Sequence, residues 1–520
     1  MSFNLQSRFV SLGVVALVLI GLHTYLSMRY EIQPMEYAPF WSDEFMYYHQ
    51  AGTVVTAGLN GGYYNINEQP APWLRFYAWG AMLPLTYGAI GKLIGYEMWS
   101  IPFINYSLFL ASLVAYIWFT RLKPRDALVL AGMMVVFFVQ RLFAYTSYVE
   151  LLQHAIATLL ALGFFHLLQR EGNIPWGWRI GMILAVGLAT LYRMTWAVLF
   201  IPLFLVMFRP TKWGWYLPIL VGAGAVALVF IALVEQLSSP DPNKIHTLVI
   251  NFGISFQLGL QTIWDMVKIN LVEVFHAEDV VGMLKVSTHI QVLLLMGLSA
   301  VYAIWIPLRR GFKTGEWALD REWLVHFLNI SLPFIIMFLI YDLFGERSYR
   351  NLSVPLWLSL LLFVSYRRWI PLALIAVANL VVINAAGGYF SNITGLHYQP
   401  GMVAQAQQAR LEMEAYMPFK PNETDPWCNT VAFPTSFFDH HNITLYSIPF
   451  GHGLTTLWGL TPTLKSRYVL VDEVAKEFYQ ADEKWVKLRD VEGGELYLNP
   501  ATSCAFTPDV ASLAQPPQSQ

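Results

Sequence analysis

Charge is what this 520-residue chain has least of: Asp, Glu, Lys and Arg together make up 13% of it, against 56% hydrophobic residues. A soluble globular domain carries about 25% charged residues, so an ordinary water-soluble domain is excluded as the whole of the protein. There is no basic tract, which removes the electrostatic footprint of a nucleic-acid partner, and a formal net charge of −2 says little about other partners. Cysteine is scarce as well. The two present, Cys428 and Cys504, both lie beyond residue 390 and none occurs in the apolar part. That is not a zinc pattern. A Cys428–Cys504 disulfide in an oxidising compartment is expected, with two unrelated thiols as the alternative. No repeat of about 20 to 50 residues is present, which excludes a solenoid or array.

What the chain has in abundance is apolar runs of about 15 to 22 residues, near the length a helix needs to cross a bilayer. Its 19 Trp and 27 Tyr suit a protein with two long membrane–water interfaces. The first run, Phe9 to Leu26, is long for the core of a signal peptide and lacks a small-residue cleavage site, so it reads as a retained helix. Short basic loops mark the cytoplasmic side. They are Arg121 to Arg125, Arg170 to Arg179, Arg209 to Lys212, Arg309 to Lys313, and Arg367-Arg368. One threading places all of them inside. It has about eleven crossings, at 9–27, 103–120, 126–143, 151–169, 180–192, 195–208, 214–234, 286–307, 322–342, 351–366 and 369–386. The N-terminus is then cytoplasmic and the C-terminus extracytoplasmic. The apolar segment 74–95, with Pro84 and several glycines, is expected to be interfacial or re-entrant; a twelfth span is the alternative. Residues 180–208 read as two short helices turning at Tyr192 to Thr195, with Arg193 at the external edge. A single tilted span with a snorkelling Arg193 is the other reading.

The expected fold is therefore a polytopic α-helical membrane protein with a small C-terminal extracytoplasmic α/β domain. The membrane domain is 1–389, with a first external loop at 28–102; the α/β domain is 390–520 and ends in a disordered tail. Within the latter, 467–472 reads as a strand, 473–479 as a helix, and 485–489 with 495–498 as a hairpin turning at Gly493-Gly494. The external features collect on one face: Asp43-Glu44, the loop Ala144 to Glu150, Arg193, the segment 235–285, and Asp342 to Arg350. The acidic pair stands out, in Trp41-Ser42-Asp43-Glu44-Phe45. Two carboxylates beside a bilayer are costly unless solvated, paired or used. The bland reading is a solvated loop or the first turn of a helix after Ser42.

Several local patterns in order resemble the GT-C superfamily of integral-membrane glycosyltransferases, more narrowly its protein O-mannosyltransferase and aminoarabinose-transferase-like branch. They are Asp43-Glu44 after the first helix, the Pro-containing stretch Trp79 to Gly95, Tyr148-Val149-Glu150-Leu151-Leu152, Leu191 to Trp196 around Arg193, and Glu346 to Pro355 with Arg347 and Arg350. The resemblance implies a sugar donor carried on a polyprenyl phosphate and an acceptor that is an envelope glycan, a lipid or a protein. It implies Asp43 as general base, Glu44 orienting Asp43 or the acceptor, and Arg193, Arg347 and Arg350 as contacts to the departing phosphate. Glu150 stands at the second acidic loop, where the family often has Asp after Pro. It is a further catalytic candidate, against a plain helix cap. His49 is a candidate acceptor contact. The stretch His276-Ala277-Glu278-Asp279 is common loop composition, and His440, His441 and His452 are expected to be solvated. No cofactor is required by this reading, with a divalent cation as the open alternative. The implied location is a bacterial inner membrane. The competing functions are a lipid-linked-sugar flippase and a ligase that transfers a preassembled glycan.

Overall fold

Where water is excluded, an apolar run satisfies its backbone only within a helix, and the long helices of this protein fall on its apolar runs. The computed structural model describes residues 2–59, 61–69, 80–210, 213–238, 244–309, 319–421, 423, 425–440, 442–459, 463–479, 485–500 and 504. Among these, six helices are long and apolar enough to cross a membrane: Leu5–Arg29, Ser100–Thr120, Glu150–Gln169, Tyr216–Leu237, Val280–Arg309 and Arg321–Ile340. A seventh results if Trp369–Val381 and Ile383–His397, bent by 59° at their junction, count as one span. Large apolar side chains stand outward on them, such as Leu17 at 72%, Leu217 at 70% and Leu228 at 66% exposure. In water such surfaces would be unfavourable. The chain is an integral membrane protein.

The remaining expected crossings are shorter, broken or buried. The run 126–143 is two helices, Pro124–Val136 and Phe138–Phe143. The run 180–208 becomes Trp176–Tyr192, a 3-10 turn Met194–Leu199 and Phe200–Phe208, with Arg193 extended at the break (φ −160°, ψ 119°). The expected turn is therefore present. The run 351–366 lies in Glu346–Tyr366, whose residues Leu352 to Val364 are all buried. An apolar run of this length reads the same whether it faces lipid or other helices. Met82–Ile94 has 13 residues, about 20 Å of helix against about 30 Å of bilayer core. Residues 70–79, Lys212, Arg310 to Lys313 and the expected disordered tail lie outside the described residues.

Backbone contacts divide the chain into two units. The first comprises 1–32, 105–232 and 242–395; the second comprises 33–104, 233–241 and 396–520. The single boundary expected at 389/390 is thus replaced by a division in which the first external loop belongs with the C-terminal region. The reason is a shared sheet. Its strands are β1 (Tyr64–Ile66), β2 (Thr430–Pro434), β3 (Gly453–Leu457), β4 (Tyr468–Val471), β5 (Val486–Val491) and β6 (Gly494–Leu498), in the order β1-β3-β2-β4-β6-β5. β1 from the first loop pairs in parallel with β3, Tyr64 opposite Leu454. β2, β3 and β4 are parallel, while β4–β6 and β5–β6 are antiparallel. The strand at 468–471, the helix Glu473–Tyr479 and the final hairpin match the sequence reading. Cys428 and Cys504 form the expected disulfide, with their Cα atoms 5.6 Å apart.

Candidate functional site

The acidic pair opens the helix Ser42–Ala57, where carboxylates are favoured by the unpaired N–H groups and the helix dipole. The two acids then part ways. Glu44, at 0% exposure, accepts from the backbone N–H groups of Phe40 (3.0 Å) and Trp41 (3.1 Å) through Oε2. Its Oε1 accepts from the Tyr37 hydroxyl at 2.8 Å. His397 Nε2 donates to Oε2 at 2.6 Å, and the imidazole is itself fully buried. The Trp41 ring packs on that imidazole with centroids 4.5 Å apart. Burial raises the Glu44 pKa, but the His397 charge, its hydrogen bond and the two backbone donors outweigh this and hold the carboxyl below the ordinary range. Glu44 is an anchor for residues 37–41 and for the segment after the last apolar helix. Asp43, about 100° round the helix from it, keeps partial exposure.

His49 lies on the same helix but points inward. It is 1% exposed, and its Nε2 donates to the His452 carbonyl at 3.0 Å. Burial lowers its pKa to about 3, so it is a neutral packed imidazole. In this structure it offers no surface to an acceptor, contrary to the expected contact. His452, expected to be solvated, is fully buried, its Nδ1 is 3.2 Å from the Pro449 carbonyl, and burial lowers its pKa to about 4. His441 and the side chain of His440 lie outside the described residues.

A second cluster belongs to the other unit. Glu150 begins the helix Glu150–Gln169 and is 0% exposed. Its Oε1 accepts from Arg350 Nε at 2.9 Å and lies 3.8 Å from Arg193 Nη2. Arg193, freed from helical geometry by the break at its own position, also donates to Asn351 Oδ1. Trp196 Nε1 donates to Gln153 at 2.6 Å and ties that break to the 150–169 helix. Glu346 to Arg350 form the start of Glu346–Tyr366, entered through Gly345 at φ +63°, a backbone region that glycine adopts without a Cβ penalty. Arg350 is buried. It lies 3.6 Å above the Tyr148 ring, and its Nη1 is 3.5 Å from Glu346 Oε1. Glu346 in turn accepts from Tyr148 (3.2 Å) and Tyr389 (3.0 Å). Arg347, one position round, is exposed. The two arginines that the sequence left undistinguished are therefore different: Arg350 is internally paired, and Arg347 faces outward. Glu150 is held by arginines through Oε1.

His276 and Glu278 form a largely exposed 3.3 Å contact. Asp279 caps the helix Val280–Ala300 by accepting from Gly282 N–H at 2.6 Å. Among the described residues there is no group of three or more His, Cys, Asp or Glu placed to hold a metal. Sequence reading missed His397 and Tyr37, while Glu346 was foreseen as a salt-bridge partner for Arg347 or Arg350 and pairs with Arg350. Glu346 stands four residues before Arg350, a helical pairing distance; His397 has no local signal, being 353 residues from its partner.

The fold and these clusters define a polytopic α-helical membrane protein with a small mixed-sheet unit and two buried, charge-paired centres. No family model matches the chain, and no curated protein does. Among solved structures it is similar to ArnT from Cupriavidus metallidurans in the apo state, at 12% identity and a TM-score of 0.42, over 96% of this chain and 99% of that one. The same protein bound to undecaprenyl phosphate aligns at 11% identity and a TM-score of 0.41, over 97% and 98%. The archaeal oligosaccharyltransferase AglB from Archaeoglobus fulgidus, in complex with an inhibitory peptide and a dolichol-phosphate, aligns at 11% and 0.45, over 95% and 74%. Likeness this distant carries no residue's role across.

Proposed function

We propose that the chain is a GT-C-type glycosyltransferase that moves a sugar from a polyprenyl-phosphate donor to an envelope glycan, lipid or protein. The observation that carries this reading is the division of labour in the acidic pair. Glu44 is buried and bonded on both oxygens, which holds the first helical turn in place, while its neighbour Asp43 retains solvent access. A general base needs that combination of a fixed position and a reachable carboxylate.

In this mechanism the acceptor oxygen attacks the anomeric carbon and its proton passes to Asp43. The bond from that carbon to the phosphate oxygen breaks, and its electron pair leaves with the polyprenyl phosphate, which gains one negative charge. One displacement inverts the anomeric centre. Charge developing on phosphate is what guanidinium groups stabilise. Arg193 and the exposed Arg347 are the proposed phosphate contacts, with Glu150 and Arg350 bracing Arg193. The reaction belongs to the extracytoplasmic face of a bacterial inner membrane, with the N-terminus in the cytoplasm.

The test is turnover of a polyprenyl-phosphate sugar by purified Asp43→Asn protein. The substitution keeps size and hydrogen bonding but removes basicity, so turnover should fall more than donor affinity does, with an unchanged melting temperature. Near-normal turnover would sink the assignment. For Arg193 and Arg347, Ala should cost roughly 30- to 1000-fold in rate, by analogy with a lost oxyanion donor. Lys should recover part of it, since it keeps the charge and loses the planar fork.

A further inference from the structure

The helix Glu346–Tyr366 is about 30 Å long, and its far end, remote from Glu150 and Arg350, borders a cavity of about 880 Å³. Tyr302, Arg321, Trp323, Arg367, Arg368 and Trp369 stand in its wall. This is the basic end of the helices, which the charge pattern reads as cytoplasmic.

The cations here are unequally compensated. Arg367 forks onto Asp126, with Nε 3.1 Å from Oδ1 and Nη2 2.8 Å from Oδ2. Arg368 forks onto Glu322, with both contacts at 2.7 Å. Asp320 is occupied as a helix cap, accepting from Trp323 N–H at 3.2 Å. Arg321 has no carboxylate partner among the described residues, and its Nη1 is buried without a hydrogen bond. Arg209, close enough to Arg321 to feel its charge but not itself in the cavity wall, donates to the backbone carbonyls of Arg170, Glu171 and Gly172, and among the described residues its Nε is likewise buried and unbonded. Burial, then the charges of Arg321 and Arg179, push the Arg209 pKa down. Two guanidiniums sensing each other without a counter-ion are unfavourable unless an anion joins them.

The cavity wall also has the character of a headgroup-level pocket. Tyr302 and Trp323 stack with centroids 4.5 Å apart, and Leu298 and Ile306 continue the surface with apolar atoms. Tyr302 lies in a π-helical turn, Val301–Trp305, inside an otherwise regular membrane helix. Such turns are rare and concentrate at functional sites.

We propose that this cavity binds the phosphate headgroup of an anionic glycerophospholipid. Arg321 is its principal contact, and Tyr302 and Trp323 pack against the glycerol and upper acyl carbons. Basic pockets between membrane helices on the cytoplasmic side suit such headgroups, and a phosphodiester supplies the missing negative charge. This site is separate from the proposed transfer chemistry and does not depend on it.

The test is native mass spectrometry of the full-length protein after detergent delipidation and addition of phosphatidylglycerol or phosphatidylcholine. Phosphatidylglycerol should be retained well above phosphatidylcholine. Arg321→Gln should weaken its retention roughly 10- to 100-fold, the usual effect of losing a charged hydrogen bond, and Arg209→Gln should weaken it less. Arg489→Gln, on the surface of the other unit, should not change it. If Arg321→Gln fails to fold, Arg209→Gln carries the comparison. Equal retention of the two lipids, or retention unaffected by both variants, overturns the site. Displacement of phosphatidylglycerol by millimolar inorganic phosphate would mean a soluble-anion site, and displacement by polyprenyl phosphate a carrier-lipid site; either result also overturns the proposal.

Discussion

Replacing Arg350 with Met would leave the Glu150 carboxylate at 0% exposure with Arg193 Nη2, at 3.8 Å, as its remaining ion-pair contact. The gross attraction lost is about 6 kcal/mol for the 2.9 Å contact at an effective dielectric of about 20. Desolvation of the pair offsets much of that attraction in the native protein. Removing one partner leaves the other charge buried, which costs about 3–5 kcal/mol. Glu150→Gln should be milder, about 1–3 kcal/mol, because Arg350 keeps Glu346 and the Tyr148 ring. In the double variant no buried carboxylate is left at position 150 to lack its Arg350 partner, so its cost should fall short of the sum of the single costs by about 2 kcal/mol or more. Denaturation of the detergent-solubilised protein, followed by tryptophan fluorescence, measures all three. Additivity within about 0.5 kcal/mol would refute the coupling. Activity then separates two roles: if Arg350 only braces Arg193 through Glu150, Arg350→Met should lower turnover no further once Glu150→Gln is present. If it contacts donor phosphate, Arg350→Met should lower turnover further in the Glu150→Gln background.

Glu44→Ala would remove the acceptor of two backbone N–H groups, the Tyr37 hydroxyl and the buried His397, and should cost about 3 kcal/mol or more; an unchanged melting temperature would show that the carboxylate anchors nothing. Lowering pH should destabilise the protein through His49 and His452. The unfolded imidazoles gain protons below their ordinary value of 6.5, while the folded ones do so only near about 3 and about 4. Stability should therefore fall by about 1.4 kcal/mol per pH unit for each below 6.5, and His49→Gln should flatten the slope in a pH series of unfolding curves. Serine at Cys428 and Cys504 opens a loop with a sequence separation of 76, worth up to about 4.5 kcal/mol of unfolded-chain entropy. Equal melting of the wild type and the double serine variant, both in oxidising buffer, would contradict that.

Apolar runs and sparse charge were enough to identify a polytopic helical membrane protein, because the bilayer imposes length and composition locally. The break at Arg193, the hairpin ending at Leu498 and the Cys428–Cys504 pair were legible for the same reason: each is announced by nearby residues or by being the one pairing available. The first turn of Ser42–Ala57 was also legible as a helix start, though not the unequal fates of its two acids. Those depended on His397, brought to Glu44 from 353 residues away. Tertiary structure alone decided that β1 in the first loop joins the C-terminal sheet, since a three-residue strand has too little pattern to declare a partner. β2 and β3 are buried nearly throughout and so lack the alternation that marks a half-exposed strand. The difference between Arg347 and Arg350, three residues apart on one helix, likewise came from packing. Only the surroundings determine which of two like charges meets Glu150 and which meets solvent.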